Sequence, residues 1–190
     1  MNIRHLKLNY ALAVAFSGGP DSTCLLHLLK QISTKIPGSN LPMDVLAITV
    51  DHGLQATSSA MTDQCALIAK SLDVNHISVK IPWDQPPFPP LPGEHMAFEK
   101  IARYARYHVL FDVMQRENIS DIAFGHHADD QVETALLRIL NRSSEYGASA
   151  MRPARRWGMG FGKGPGSLSW VGHLGMDKWI LRPLLRIPKV

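Results

Sequence analysis

The chain has 190 residues, 45% of them hydrophobic, enough to bury the core of one domain. No apolar run approaches the ~20 residues of a membrane span. Cys24 and Cys65 form no CxxC pair, so both read as small buried hydrophobes of a protein in a reducing compartment. The net charge of +4 is uneven: residues 151–190 hold eight basic side chains against the single acid Asp177, while 1–150 hold 12 basic and 15 acidic ones. A basic end on an acidic body predicts a polyanionic partner.

The N-terminal MNIRHLKLNYALAVAF lacks a small-residue cleavage site and reads as the approach to a first strand rather than a signal peptide. The cytoplasm is the expected compartment, with an organelle the alternative for a eukaryotic source. Short β-rich runs at 11–16, 44–50, 76–81, 121–125 and 179–185 alternate with helical patterns at 22–33, 58–72, 94–117 and 129–141. The earlier runs are almost continuously apolar, the pattern of strands buried on both faces. This alternation predicts an α/β fold, a doubly wound parallel sheet of about five strands with right-handed crossovers. Two segments break it. PWDQPPFPPLPG (82–93) is too rich in proline for either element, and the glycine-rich 155–170, within a basic insert at about 152–172, reads as a loop or disordered insert.

Where the first strand ends, VAFSGGPDSTCLLHLL (14–29) sets two glycines, a proline, an aspartate and two hydroxyls before a helix. In open parallel sheets ligands sit beyond the carboxyl ends of the strands. Ser17, Gly18 and Gly19 leave backbone amides free to turn toward an anion, either Asp21 or Ser22 is placed to cap the helix, and the helix N-terminus adds partial positive charge. The arrangement reads as a phosphate cradle, although neither GxxxxGK[ST] nor G-x-G-x-x-G is present.

SGGPDS resembles the pyrophosphate loop of the N-type ATP pyrophosphatases, the PP-loop superfamily. VDHGL (50–54), ARYARY (102–107), GHHADDQVETALLRIL (125–140) and LRPLLRIPK (181–189) follow in the order of the motifs of tRNA(Ile)-lysidine synthases. The resemblance spans nearly the whole chain and rests above all on GHHADDQVET. It implies ATP and Mg2+ as cofactors, and an isoleucine tRNA and free L-lysine as substrates. The implied reaction adenylates the C2 oxygen of the wobble cytidine, after which the lysine ε-amine displaces AMP.

By the same resemblance, Ser17, Gly18, Gly19, Pro20, Asp21 and Ser22 bind the pyrophosphate, and Asp21 is the magnesium-associated aspartate. His126 is similar to a histidine near the phosphates, and Asp130 and Glu133 to an acidic pair facing lysine. Asp130 and Glu133 are three apart and share a helix face, while Asp129 reads as a helix cap. Arg103 and Arg106 also share a face; the family spacing to His126 favours Arg106. Gln55 stands where the family usually has arginine. The chain stops at Val190, before the family's downstream tRNA-recognition domains, so Arg152, Arg155, Arg156 and Lys163 are the expected unselective contacts to tRNA phosphates. Three alternatives remain: a PP-loop tRNA thiolation enzyme, a metal-dependent phosphoesterase suggested by VDHG and GHHADD, and a truncated homologue that binds nucleotide or RNA without turnover. Oligomeric state is not legible in the sequence.

Overall fold

The computed structural model describes residues 12–35, 44–54, 58–92, 98–140, 151–157 and 168–189. Gln55, Lys163, the chain start before residue 12 and most of the glycine-rich segment lie outside them. In chain order the elements are β1 (Leu12–Ala15), α1 (Pro20–Lys35), β2 (Val45–Asp51), α2 (Ser58–Ser71), β3 (Asn75–Lys80), α3 (Phe98–Arg116), β4 (Asp121–Ala123), α4 (Ala128–Leu140), β5 (Ala154–Arg156) and β6 (Trp179–Leu181), with a 3-10 segment at Leu168–Gly175. The sheet order is β3-β2-β1-β4-β6-β5. Five strands run parallel, as the alternation predicts, and β5 pairs antiparallel with β6 at the edge.

The central strands β1, β2 and β4 are buried on both faces, and alternate residues enter two separate cores. Leu12, Val14, Phe16, Val45, Ala47 and Ala123 pack with Leu25, Leu26 and Leu29 of α1 and with Cys65 and Ala69 of α2. Ala13, Ile48, Ile122, Phe124 and Ile180 pack instead with Tyr107, Leu110, Phe111, Val113 and Met114 of α3. The strand period of two sends successive side chains to opposite faces. Helices α2 and α3 end in the same way: Asp73 and Asn118 adopt positive φ, and the Val74 and Ile119 amides donate back to Ala69 and Met114 carbonyls. This αL reversal satisfies carbonyls that the helix end leaves open and turns the chain into β3 and β4.

Two expectations are corrected. Cys24 is exposed and only Cys65 is buried, both as free thiols, because the face of α1 that meets the sheet is set by Leu25, Leu26 and Leu29. The segment expected to be a loop from 155 begins inside β5, where Arg155 pairs with Ile180 and Arg156 with Trp179. A three-residue strand containing two arginines has no hydrophobic period of its own, so its pairing with β6 defines it. The proline-rich 82–92 forms turns without a regular element, as expected.

Trp157 follows β5 and is fully buried against Tyr107 and Phe111, joining the β5–β6 edge to α3. Trp157→Ala is expected to cost about 3–5 kcal/mol of stability in denaturant titrations. Its indole Nε1 has no hydrogen-bond partner among the described residues, so Trp157→Phe is expected to cost less than about 1.5 kcal/mol.

Candidate nucleotide site

The strand order reverses beside β1: the chain builds β1, β2 and β3 in one direction and returns through α3 to place β4 on the other side of β1. Crevices form at such switch points. A cleft of about 530 Å³ opens there, lined from β1 by Ser17, Gly19, Asp21 and Ser22 and from β4 by Gly125, His126 and Asp130, with Asp51, His52 and Arg106 beside them. Seven of the sequence-derived site residues thus meet in one cavity: Ser17, Gly19, Asp21, Ser22, Arg106, His126 and Asp130. Gly18 and Pro20 shape the loop without lining the cavity, and Glu133 is exposed on α4 outside it.

Local chemistry accounts for the loop. Gly18 has φ +76 and sits where a Cβ would lie 2.7 Å from the Cys65 sulfur, so both conformation and space require glycine. Pro20 begins α1, where its missing amide costs nothing. The Gly19 carbonyl accepts from the Thr23 amide and from the Ser22 and Thr23 hydroxyls. The cap position is therefore Gly19, and neither Asp21 nor Ser22 fills it; Asp21 and Ser22 occupy the first turn, whose amides lack intrahelical acceptors. The Ser17 amide donates to Ser22 Oγ at 3.3 Å, folding the loop back on the helix.

Across the cleft, α4 starts at Ala128 with His127 as its cap. The His127 amide donates to Asp130 Oδ2 at 2.8 Å, and the Asp129 amide donates to His127 Nδ1 at 3.2 Å. This reciprocal pair has the logic of a capping box, so Asp129 is not the cap. With Nδ1 accepting, Nε2 faces two carboxylates, 3.5 Å from Asp130 Oδ2 and 3.7 Å from Asp21 Oδ2. Lys189 Nζ also reaches Asp21 Oδ2, at 3.2 Å. His127, which sequence reasoning passed over, links the two acidic residues; the doubled histidine of GHHADD was its only signal.

His126 is different. Its ring stacks on Phe124 at 5.6 Å between centroids, and burial, reinforced by Arg182, pulls its pKa to about 4 despite the opposing Asp130. Imidazole is therefore neutral there at physiological pH. Burial, then Arg106, also lowers His52, and burial lowers Arg106. His52 Nδ1, Arg106 Nε and His126 Nδ1 are buried without a hydrogen-bond partner among the described residues. Three such atoms around one cavity are a polar lining that a ligand would satisfy.

These features fit a nucleoside triphosphate: a helix N-terminus, a buried guanidinium and unpaired ring nitrogens face the same space. Among the described residues no three His, Cys, Asp or Glu side chains are grouped to hold a metal alone. Mg2+ takes one or two carboxylates and completes its shell with phosphate and water; Asp21 and Asp130, both lining the cleft, could hold it in that way.

The PP-loop domain model matches residues 2–190. The chain belongs to the PP-loop family of ATP-binding domains. Among curated relatives it is 35% identical over 173 residues to the tRNA(Ile)-lysidine synthase of Pseudomonas syringae pv. tomato, covering 91% of this chain and 35% of that protein. The enzyme of the same name from Mesorhizobium japonicum is 35% identical, with 95% and 35% coverage, and that of Alkalilimnicola ehrlichii 37%, with 77% and 30%. The chain thus spans about a third of the length of these relatives. Among solved structures it is similar to the U34-tRNA thiolase NcsA from Methanococcus maripaludis with its [4Fe-4S] cluster, at TM-score 0.68 and 19% identity, covering 97% of this chain and 55% of that one. This likeness concerns the fold. No helix among the described residues is long and apolar enough to cross a membrane.

A Cβ on Gly125 would lie 3.0 Å from the Asp21 carbonyl carbon and the Ser22 nitrogen. Gly125→Ala must push the α1 start away from β4, an overpacking cost of about 1–3 kcal/mol. Titration with a non-hydrolysable ATP analogue is expected to show affinity reduced about tenfold or more. The buried neutral His126 also sets a pH dependence. As pH falls from about 6.5 toward about 4, the unfolded chain binds a proton that the folded chain refuses, so stability declines across that window. His126→Gln is expected to flatten the decline in denaturant midpoints measured from pH 7 to pH 4.

Proposed function

We propose that the chain carries the ATP-dependent half of a lysidine-forming enzyme. It would adenylate the C2 oxygen of the wobble cytidine of tRNA(Ile), release pyrophosphate, and then transfer L-lysine with release of AMP. The observation that carries this reading is the cleft in which the SGGPDS loop after β1 faces the GHHADD segment after β4, in a chain whose relatives bear that enzyme's name.

In this reading the amides of the first turn of α1, with Ser17 and Ser22, hold the departing pyrophosphate. Arg106 offsets negative charge gathering at the α phosphate. Neutral His126 offers or accepts a hydrogen bond without adding charge. Mg2+ on Asp21 would supply further neutralisation of the phosphates. For the second step, free lysine arrives as an ammonium; Asp130 at the cleft and Glu133 on the next turn of α4 hold it and take its proton, freeing the nitrogen pair to attack C2.

The thiolation alternative loses ground on sulfur. The whole chain has two cysteines; one is exposed on α1 and the other is buried beside Gly18. Burial raises the pKa of Cys65, which suppresses its thiolate. The phosphoesterase reading leaves the SGGPDS loop without a role.

AMP and pyrophosphate are the expected products; formation of ADP and orthophosphate would exclude this reading. Asp21→Asn is expected to slow tRNA-dependent ATP–pyrophosphate exchange about 10²-fold. Glu133→Gln should leave exchange nearly intact while slowing lysine incorporation about 10²-fold. Equal loss of both half-reactions in both variants would overturn the division of roles.

A further inference from the structure

Beside the cleft, on the side of β6 and β5, four guanidiniums gather around one buried phenol. Tyr107, only 3% exposed, stacks on Phe124 at 5.5 Å, and Phe124 stacks in turn on His126. Arg103 and Arg106, one turn and one residue before it on α3, place their guanidinium carbons 5.8 and 5.9 Å from its ring centroid. Arg182 follows β6 and is 4% exposed. It interacts with the Tyr107 side chain and donates to the Arg152 carbonyl at 2.8 Å. Arg155 comes from the edge strand β5. The antiparallel register pairs Arg155 with Ile180, so Arg155 and Arg182 lie on the same sheet face.

Three segments of the chain, α3, β5 and the residue after β6, therefore bring cations together, and none of the four arginines forms an ion pair with a carboxylate among the described residues. Arg155 Nε and Arg182 Nε are buried without hydrogen-bond partners there. Burial comes first among the influences that lower Arg155 and Arg182, with repulsion from Arg103 added in both and from Arg155 on Arg182. Burial raises the Tyr107 phenol, yet Arg103, Arg106, Arg182 and Arg155 together pull it below its ordinary value. Guanidiniums stay charged in proteins, so the unpaired cluster is a standing electrostatic cost that an anion would relieve.

We propose that Arg103, Arg155 and Arg182, gathered around Tyr107, form a second anion site that takes one backbone phosphate of an RNA strand whose target base enters the adjoining cleft. The proposal rests on the RNA-modifying reading above. Arg106 alone of the four also lines the nucleotide cleft, where on the reading above the loop after β1 holds the triphosphate. A base delivered to that cleft carries a phosphate on each side, and guanidinium forks match phosphate oxygens in pairs. Such a contact positions the strand without reading its sequence. Of the basic residues expected to bind RNA from charge alone, only Arg155 belongs to this cluster. Arg156 lies over the Trp179 ring at 5.2 Å and donates to the Met176 carbonyl, and Arg152 uses its carbonyl to hold Arg182.

The test pairs two variants, Arg155→Ala and the exposed Arg103→Ala, with stem-loop RNAs carrying the tRNA(Ile) anticodon loop. The RNAs are either unmodified or bear a single uncharged methylphosphonate linkage 5′ or 3′ of the target cytidine. One of the two neutral linkages is expected to weaken wild-type binding about tenfold, and each variant to weaken binding of unmodified RNA by a similar factor with a salt slope smaller by about one. Combining variant and that linkage should add little further loss, because both remove the same contact. Affinity for a non-hydrolysable ATP analogue should stay within about twofold of wild type, the two sites being separate. Fully multiplicative losses would overturn the proposal, as would an equal loss of ATP affinity, which would assign the cluster to the nucleotide. The two readings fail separately. Non-multiplicative binding without lysidine formation on tRNA(Ile) keeps the phosphate site and rejects the proposed reaction, whereas wild-type rates of lysidine formation in both variants at subsaturating RNA keep the reaction and reject the site.

Discussion

Gly125 approaches the first turn of α1 so closely that its missing side chain is what lets β4 and the SGGPDS loop meet. Everything at the cleft follows from that contact. It brings the loop after β1 and the loop after β4 to the same end of the sheet, with Ser17 to Ser22 on one side and His126 to Asp130 on the other. A larger residue at 125 would push the SGGPDS loop away from His126 and Asp130. The parallel pairing of β1 with both β2 and β4 holds this juncture from below, and the two cores on opposite sheet faces make that pairing rigid.

Charge is divided across the site by its chain segments. On the α1 and α4 side, Asp21 and Asp130 share His127 and so bring negative charge to the mouth of the cleft. On the α3, β5 and β6 side, four arginines surround Tyr107, with no ion-paired carboxylate among the described residues. His126 stands between them, on a ring stack that runs through Phe124 to Tyr107, and is kept neutral by burial and by the nearby cations. In the proposed reaction, a cation on the phosphates and an ammonium substrate would suit the acidic side, and phosphate would suit the side of the arginines and the α1 N-terminus. Lys189 pairs with Asp21 at the mouth, whereas the arginine side holds no such ion pair among the described residues.

Lys178 shows how the edge of the sheet is tied into this scheme. It is buried just before β6 and donates to the Ile119 and Met114 carbonyls at the end of α3, where a cation complements the helix C-terminus. This holds β6, and through it Arg182 and β5, at a defined height against α3. Trp157, whose amide donates to the Lys178 carbonyl, packs the same junction from β5.

Much of this was written in local sequence. The strand and helix alternation, the five parallel strands and the phosphate loop are legible because apolar periodicity and glycine conformation act over a few residues. Resemblance to a known family then picked out Arg106, His126 and Asp130, all of which line the cleft. Local pattern misplaced the caps: it offered Asp21, Ser22 and Asp129, whereas Gly19 and His127 hold those positions, because capping depends on where a helix begins to within one residue. It also hid Cys24's exposure and the strand within 155–170, since neither the buried face of α1 nor the pairing of a three-residue segment is encoded by its own composition. The convergence of Arg103, Arg155 and Arg182 on Tyr107 was beyond it altogether. Those residues are up to 79 positions apart in sequence, and only the register of β5 on β6 and the packing of α3 against them bring their charges into one place.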